Sequence, residues 1–597
     1  MHFIRVSPCP PCWALACVVG LVLLCGRAAW AQTAVPPPAR VAALGTYQQE
    51  ALQKALAARN LEVDPNPTGK RVAGIWVKNL DVFGPEDSAL LTWLNVFHMT
   101  TRETIIAREV LLRPGDVWSD DIAEETRRRL MDPLFTSYVV VMPVRAVNPN
   151  EVFVLVVTRD LFSLRLNTDF EYQAGVFSLL RIEPAENNFL GRRKRVAGVF
   201  EMDLGRFSVG PTYYDSNIWG SRWQLSSAVR AMFARETSEY EGTASETKLE
   251  YPLWSFARKW SFVTTFTHFN GPQRSFLGPD LRTYDDKATP DEETLPWRYR
   301  YRRVGTSTSV VRQYGTTVLQ RFGAGYSFNV RRPGVFEEDF ATTAPDVRAA
   351  FMRDVLPRSE RVSSPFISYV VFTPRFVTFR DVETFDLPED RSLGPSLILY
   401  LGWSEPALGS GRRFLDLSGT LAFDAEIGHR GLLRLSASGS GRADVHNNDL
   451  YDARWSTNAF FATPQVGKVA RLVVRLGSER LIDNQSVRNV AIGGDSGLRG
   501  YPINAFFGPT LVRGNVELRS APLRVAFARL GLAAFWDFGH AAPRFADLVI
   551  RHDFGMGFRL LLPQLQPTVI RFDWAVATQG PTAGLPGRFT AGFTQAF

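Results

Sequence analysis

Leu415 to Ala425 reads LDLSGTLAFDA. Leu415, Leu417, Leu421, Phe423 and Ala425 share one parity, and Asp416, Ser418, Thr420 and Asp424 share the other. Successive side chains of an extended chain point to opposite faces, so this segment predicts a strand with one apolar and one polar side. The pattern returns where Leu433, Leu435 and Ala437 oppose Arg434, Ser436 and Ser438. It returns again where Val512, Val516 and Leu518 oppose Arg513, Asn515, Glu517 and Arg519, and where Ile570, Phe572, Trp574 and Val576 oppose Arg571 and Asp573. One such strand suits a soluble sandwich equally well. An array of about 430 residues from Leu164 onward, punctuated by Gly, Pro, Asp and Asn with no helical pattern between, matches a transmembrane β-barrel whose apolar face meets lipid and whose polar face lines a lumen. At roughly 27 residues per strand and turn, about 16 antiparallel strands are expected, an even number as bacterial barrels require. The polar gaps Gly271–Pro296 and Pro333–Ser364 are expected to be extracellular loops, because periplasmic turns are short.

Composition sets the outer bounds. With 45% hydrophobic, 21% charged and 12% aromatic residues among 597, the chain is too apolar for disorder and too mixed for a bundle of membrane helices. A net charge of +8, from 68 basic and 60 acidic residues, gives no basic domain for gripping nucleic acid. All four cysteines, at positions 9, 12, 17 and 25, precede residue 26. That region has a basic start, an apolar run from Cys12 to Cys25 and Ala29-Trp30-Ala31 before Gln32, the layout of a secretory signal peptide over residues 1–31. A lipoprotein is disfavoured by Leu24 before Cys25. The exported chain is then cysteine-free, and packing and ladder hydrogen bonds must stabilise it without disulfides.

Residues 32–69 read as a linker, starting at Val35-Pro36-Pro37-Pro38, with a short helix over Tyr47–Asn60. A compact unit is expected over 70–160, ahead of a barrel over 161–597. Arg71–Val77 predicts a strand. Thr100 followed by Glu103 is a capping box for a helix over Glu103–Leu112, stopped by Gly115. Ser119-Asp120-Asp121 opens a second helix with Ile122, Thr126 and Leu130 on one face and Arg127–Arg129 at its C-terminal end, where the dipole favours cations. Ser137–Met142 and Glu151–Thr158 predict a hairpin, which completes the order β-α-α-β-β.

Three motifs then point to a family. Glu186-Asn187-Asn188-Phe189-Leu190-Gly191-Arg192 resembles an N-F-L-G turn near the barrel start, and Gly493-Gly494-Asp495-Ser496-Gly497-Leu498-Arg499-Gly500-Tyr501 resembles the tip of a loop that folds back into the lumen. Phe535-Trp536-Asp537-Phe538-Gly539 resembles an F-x-D-x-G strand. In this order they resemble the BamA/TamA-type outer-membrane assembly proteins, also called bacterial surface antigens, and the 70–160 unit resembles a single POTRA domain. The resemblance implies an outer-membrane location, a POTRA domain in the periplasm, and insertion or translocation of unfolded outer-membrane or secreted polypeptides by β-augmentation. Candidate edges for that augmentation are Val139-Val140 and Arg71–Val77, with a weak seam between Leu164–Tyr172 and Arg588–Phe597.

Arg499 has a physical reading of its own. A guanidinium inside a barrel cannot shed its charge and needs a carboxylate in bidentate geometry. Asp537 lies on the lumenal parity opposite Trp536 and Phe538, and Asp573 follows by the same count, so Asp537 is the expected partner and Asp573 the second. Gly500 is read as allowing a tight turn beside Leu498, and Tyr501 as an aromatic wedge with a polar end. The terminal strand, with Gly592, Phe593 and Phe597, is similar to the signal by which barrel proteins are recognised for insertion; Gln595 departs from the apolar residue usual there.

No catalytic constellation emerges. Gly494-Asp495-Ser496-Gly497 is followed by Leu498 rather than glycine, and His98, His268, His429, His446, His540 and His552 show no triad or metal spacing. Phosphate-loop and dinucleotide motifs are missing. The reading is therefore a non-enzyme with no cofactor, metal, nucleotide or nucleic acid. The basic runs Arg192–Arg195 and Arg298–Arg303 suit either outer-membrane lipid and lipopolysaccharide phosphates or a solvated rim. Two other functions remain open: a two-partner-type secretion pore, and a passive porin or structural barrel, for which the 70–160 unit has no use.

Overall fold

Alternation at period two, repeated over 430 residues, has a single closed outcome here. From Leu164–Gln173 to Arg588–Phe593 each strand pairs antiparallel with its sequence neighbours, and the last pairs with the first. The computed structural model describes residues 41–593 apart from 42–43, 45, 85–91, 94, 133, 174, 291, 385–387, 446, 468, 487–488, 526–527 and 563–565. The predicted signal peptide with its cysteines, and Phe597, lie outside the described residues.

The wall has twenty strands, not about sixteen, when Arg375–Arg380 and Leu523–Val525 are taken as continuations of the strands preceding them. The expected spacing was too wide because several turns are short: only two residues separate Asp203 from Arg206, and three separate Ile427 from Gly431. The parity read from sequence is the parity of the wall. Leu417, Phe423 and Leu435 are exposed on its outer face, whereas Glu517, Asp537, Arg559 and Asp573 are buried on the lumenal one.

Long connections gather at the end away from residues 71–160. Two of them form one small structure. Tyr284 and Leu295, from the connection after Trp260–Arg274, pack with Phe340, Val347, Phe351 and Val355 from the connection after Leu319–Gly334. A helix, Pro345–Asp354, lies within that second connection although no helical pattern was expected in the barrel region. Pro345 supplies the fixed φ of a first helical residue, and the spacing of Val347, Ala350 and Phe351 puts them on one apolar face.

The N-terminal unit comprises α1 (Thr46–Ala57), β1 (Arg71–Leu80), α2 (Glu103–Glu109), α3 (Asp120–Leu130), β2 (Thr136–Arg145) and β3 (Glu151–Asp160). Its sheet runs β1-β3-β2, with β1 parallel and β2 antiparallel to β3. Ile106, Val110, Ala123 and Leu130, from α2, its C-terminal end and α3, pack on one sheet face, and Ala51, Leu52 and Ala55 from α1 on the other. The helix read as part of a linker is thus a packed element. The expected capping box is not made: Arg102 occupies the cap without a side-chain bond, and α2 stops at Glu109. The competing contacts come from outside the helix, since Thr101 N–H donates to Asp160 (2.5 Å) and Arg102 N–H to Gly191 O (3.1 Å).

Glu109 ties this unit to the barrel. Its carboxylate accepts from Arg129 Nε (2.6 Å) on α3 and from Arg222 Nη1 (2.6 Å) in a barrel turn. Burial is the largest influence on Glu109 and raises its pKa; Arg129 and Arg222 together outweigh it and hold the carboxyl below its ordinary value of 4.5. Stability from this clasp is therefore fully present above the unfolded-state pKa and is lost as pH falls through the lowered one. Substituting E109Q should speed release of the N-terminal unit by limited proteolysis at neutral pH. The wild type should show comparable release only in acid below the ordinary carboxylate range.

Candidate functional site

The connection between Ala470–Ile482 and Thr510–Ser520 turns into the barrel. It carries a hairpin of Val490–Ile492 with Phe506–Gly508, and residues 493–501 form its tip. Local chemistry shapes this tip. Ser496 Oγ accepts from Gly493 N–H (3.0 Å) and donates to Gly493 O (2.8 Å), and Gly494 N–H donates to Leu498 O (2.8 Å). Gly494 has φ +62°, the left-handed region, and a Cβ there would stand 2.1 Å from Gln173 Nε2. Gly500 is the third residue of the expected tight turn, which Tyr501 N–H closes by donating to Leu498 O (3.0 Å); its φ is not left-handed, and what demands glycine there is proximity to the wall. A Cβ at Gly500 would lie 2.8 Å from Ala577 N and Asp553 Cβ.

Arg499 is wholly buried and fully engaged. Nε and Nη2 donate to Asp537 Oδ2 and Oδ1, both at 2.7 Å, which is the bidentate pair expected from sequence. Nη1 donates to Glu517 Oε1 (2.8 Å) and to Asp573 Oδ2 (2.9 Å), so the second expected partner is also present. The guanidinium carbon lies 3.3 Å from the Phe535 ring centroid. Asn515 Nδ2 holds Asp537 Oδ1 (2.9 Å), and Gly500 N–H donates to Asp553 (3.1 Å). Leu498 packs with Ile492 and Leu511, and the Tyr501 hydroxyl donates to His552 O (3.3 Å).

Three wall arginines complete the network. Arg559 reaches Asp573 (2.5 Å), Arg519 reaches Glu517 (2.7 Å), and Arg571 bridges Asp573 (3.2 Å) and Asp495 of the tip (2.6 Å). Sequence reasoning did not single out Glu517, Asp553, Arg519 or Arg559. The signal was available for Glu517 and Arg519, which sit on the polar parity of Thr510–Ser520.

From the opposite end a second element enters. The hairpin over residues 375–393 places Val377, Phe379, Val382 and Leu393 in one cluster with Leu432, Phe460, Ala462 and Val473, and Arg519 Nη1 donates to Val382 O (3.0 Å). On its other side Arg127 of α3 pairs with Asp390 (3.0 Å), and Arg128 lies over Phe376 (4.8 Å).

Other residues named from sequence stand elsewhere. Asn188, Phe189, Leu190 and Gly191 form the joint with the N-terminal unit. Asn188 Nδ2 donates to Met99 O (2.6 Å) and Thr101 Oγ1 (3.0 Å), and Leu190 and Gly191 take φ of 59° and 66°. Arg193, Lys194 and Arg195 are engaged by Thr136, Asp215 and Glu183, so three of the four cations of this run have partners within the chain, and Arg192 is exposed. Gly592 and Phe593 lie at the seam, with the Phe593 ring 5.4 Å from that of Phe170. Among the described residues no His, Cys, Asp and Glu side chains are grouped to hold a metal.

No protein-family model matches the sequence, and no curated protein is similar to it in sequence. Solved structures similar to this chain include BamA from Haemophilus ducreyi lacking POTRA domains 1–3, at 12% identity and TM-score 0.36, covering 87% of this chain and 85% of that one. CdiB from Acinetobacter baumannii is similar at 9% identity and TM-score 0.42, covering 92% and 80%. CdiB from Escherichia coli is similar at 10% identity and TM-score 0.38, covering 95% and 100%. Residue roles in this chain rest on its own geometry.

Removing one partner of a buried ion network leaves uncompensated charge, at a cost of about 3–5 kcal/mol. R499A should therefore lower the thermal unfolding midpoint of the purified protein and expose the 493–501 segment to protease. R499K keeps the charge but loses the fork, and should fall between wild type and R499A in both measurements.

Proposed function

We propose that this chain is an outer-membrane barrel that assists insertion or translocation of other polypeptides, with residues 71–160 acting as a POTRA-type domain in the periplasm. A closed barrel with an apolar exterior is one of the two backbone arrangements that satisfy every ladder hydrogen bond in lipid. The clients are unfolded outer-membrane or secreted polypeptides.

One observation carries this reading: the seam. Arg588–Phe593 meets Leu164–Gln173 through three residue pairs, Thr590 with Gln173, Ala591 with Tyr172 and Gly592 with Glu171. Every other pair of neighbouring wall strands among the described residues is joined in sequence by a turn or loop, so this seam is the one joint that no chain connection spans. A client strand would pair there and enter the bilayer without crossing it unpaired. The N-terminal sheet supports the same mode through two edges that are covered only in part. Gly115–Trp118 caps β1 at residues 70–72, and Glu62–Asp64 caps β2 at 143–145, leaving Gly74–Val77 and Val139–Val141 open to a client. A lumen entered by the tip from one end and by the 375–393 hairpin from the other speaks against a passive porin.

Locking the seam tests the reading. Opposed residues on adjacent strands have Cα atoms about 4.5–5.5 Å apart, within disulfide range. The oxidised Y172C/A591C variant should keep its barrel but lose client insertion into vesicles, and reductant should restore it. Full client insertion with the lock closed would reject the mechanism, and an unchanged steady conductance in both states would favour a pore.

A further inference from the structure

On the strands Trp260–Arg274, Arg298–Tyr314, Leu319–Gly334 and Glu360–Phe372 the register runs without a bulge, so parity alone separates outside from inside. Phe266, Val304, Val310, Phe322, Tyr326 and Ile367 are exposed on the outer face. Beyond its far margin the same parity carries Arg274 and Arg298, paired with Glu241 and Asp339, and four further arginines. Arg302 stands directly opposite Arg332, Arg300 lies two residues further along, and Arg361 is opposite Val330. Opposed side chains are about 5 Å apart at Cβ and diagonal ones about 7–8 Å, so the four guanidinium groups converge on one patch.

On the lumenal parity Arg303, opposite Arg331, makes no ion pair among the described residues, but carboxylates are at hand for its neighbours. Arg331 pairs with Glu360 (3.1 Å), and Arg442 reaches the same carboxylate (2.8 Å). Elsewhere on the outer face, near the N-terminal unit, Lys194 pairs with Asp215 (2.8 Å). Arg302, Arg332 and Arg361 make no side-chain hydrogen bond or ion pair among the described residues, and Arg300 meets only the ring of Phe336 (4.9 Å). Like charges directly opposite on a sheet repel, so this face carries a cost that its own side chains do not offset.

Height identifies what does. The other margin of the apolar face is marked by Trp260 and Tyr314, with Arg312 over both rings at 4.6 and 5.1 Å. From Tyr314 to Arg302, at a rise of about 3.3 Å per residue and a strand tilt of about 40°, the wall climbs about 30 Å, the thickness of the hydrocarbon core. The four arginines therefore stand at the headgroup level of the leaflet nearest the long connections, which is the outer leaflet on the reading above. Guanidinium forks match phosphate oxygens bidentately, and four in one patch suit a headgroup with more than one phosphate.

We propose that Arg300, Arg302, Arg332 and Arg361 form a binding site for the phosphorylated headgroup of the outer-leaflet glycolipid, lipopolysaccharide. The proposal rests on the outer-membrane reading, and its test keeps the two apart. Full-length protein is inserted into phosphatidylethanolamine–phosphatidylglycerol vesicles with and without purified lipopolysaccharide. Two quantities are read: the temperature of unfolding, and the lipopolysaccharide retained per barrel after detergent extraction. Wild type should unfold at a higher temperature when lipopolysaccharide is present. The R300Q/R302Q/R332Q/R361Q variant should keep the wild-type temperature without it, lose the increment, and retain about tenfold less glycolipid or lower, as expected for lost charge-assisted contacts. Equal retention by the variant overturns the site. So does an equal increment from inorganic phosphate, or from raising phosphatidylglycerol alone. A wild-type chain that inserts into neither vesicle overturns the outer-membrane reading itself.

Discussion

Everything inside the barrel is arranged around a charge that cannot be removed. Arg499 stays protonated at any pH the protein meets, so burying it commits the surrounding wall to supply carboxylates. Asp537, Glu517 and Asp573 come from three different strands, and each is itself buried. Those carboxylates in turn require Arg519, Arg559 and Arg571. The result is a closed set in which each ion is held by more than one partner. Such a set adds little net stability compared with an apolar filling, but it is intolerant of rearrangement, because any displaced member leaves a bare charge behind. The tip is thereby fixed in position rather than merely packed.

Fixing the tip matters because of where it ends. Asp495 reaches Arg571 on the penultimate strand, and Gly494 lies so close to Gln173 that no side chain fits between them. Gln173 is one of the three first-strand residues in the seam. The lumenal element thus abuts the wall at the joint between its first and last strands. The aromatic contact of Phe170 with Phe593, worth about 0.5–1.5 kcal/mol beyond its buried area, adds to the pairing at this joint.

Much of this was legible in the sequence because the governing rules are local. Parity needs only the alternation of side chains, and it placed Asp537 and Asp573 on the lumenal side before any tertiary contact was known. Strand number was less legible, since it depends on turn lengths that alternation does not encode. Thr100 and Glu103 carried a valid capping signal that tertiary contacts overrode, because Thr101 and Arg102 are engaged by Asp160 and by the Asn188–Gly191 turn. The run Arg192–Arg195 looked like a surface feature, yet its partners Thr136, Asp215 and Glu183 are scattered in sequence and become neighbours only in the fold. The inward hairpin over 375–393 had no local signature. Its reversal of face becomes visible only when Leu393 is found against Leu432 and Phe460.

That hairpin joins the two halves of the molecule. Arg127 and Arg128 of α3 contact it from the N-terminal unit at Asp390 and Phe376, and Arg519 contacts it from the wall at Val382 O while also holding Glu517. Glu517 binds Arg499, and the Arg499 tip leads to the seam. A continuous series of charged and hydrogen-bonded contacts therefore runs from the N-terminal unit to the tip, which lies against Gln173 of the first strand. Contiguity alone does not establish coupling; coupling requires an element with two arrangements whose balance both ends bias. The seam is the one joint of the described wall that no chain connection spans, so its two strands can part without a connecting turn being displaced. Any displacement of α3 against the hairpin would strain a network that tolerates no unpaired charge, and that network ends against the strand that forms one side of the seam. On the proposed function, this places control of the seam with the domain that receives the client.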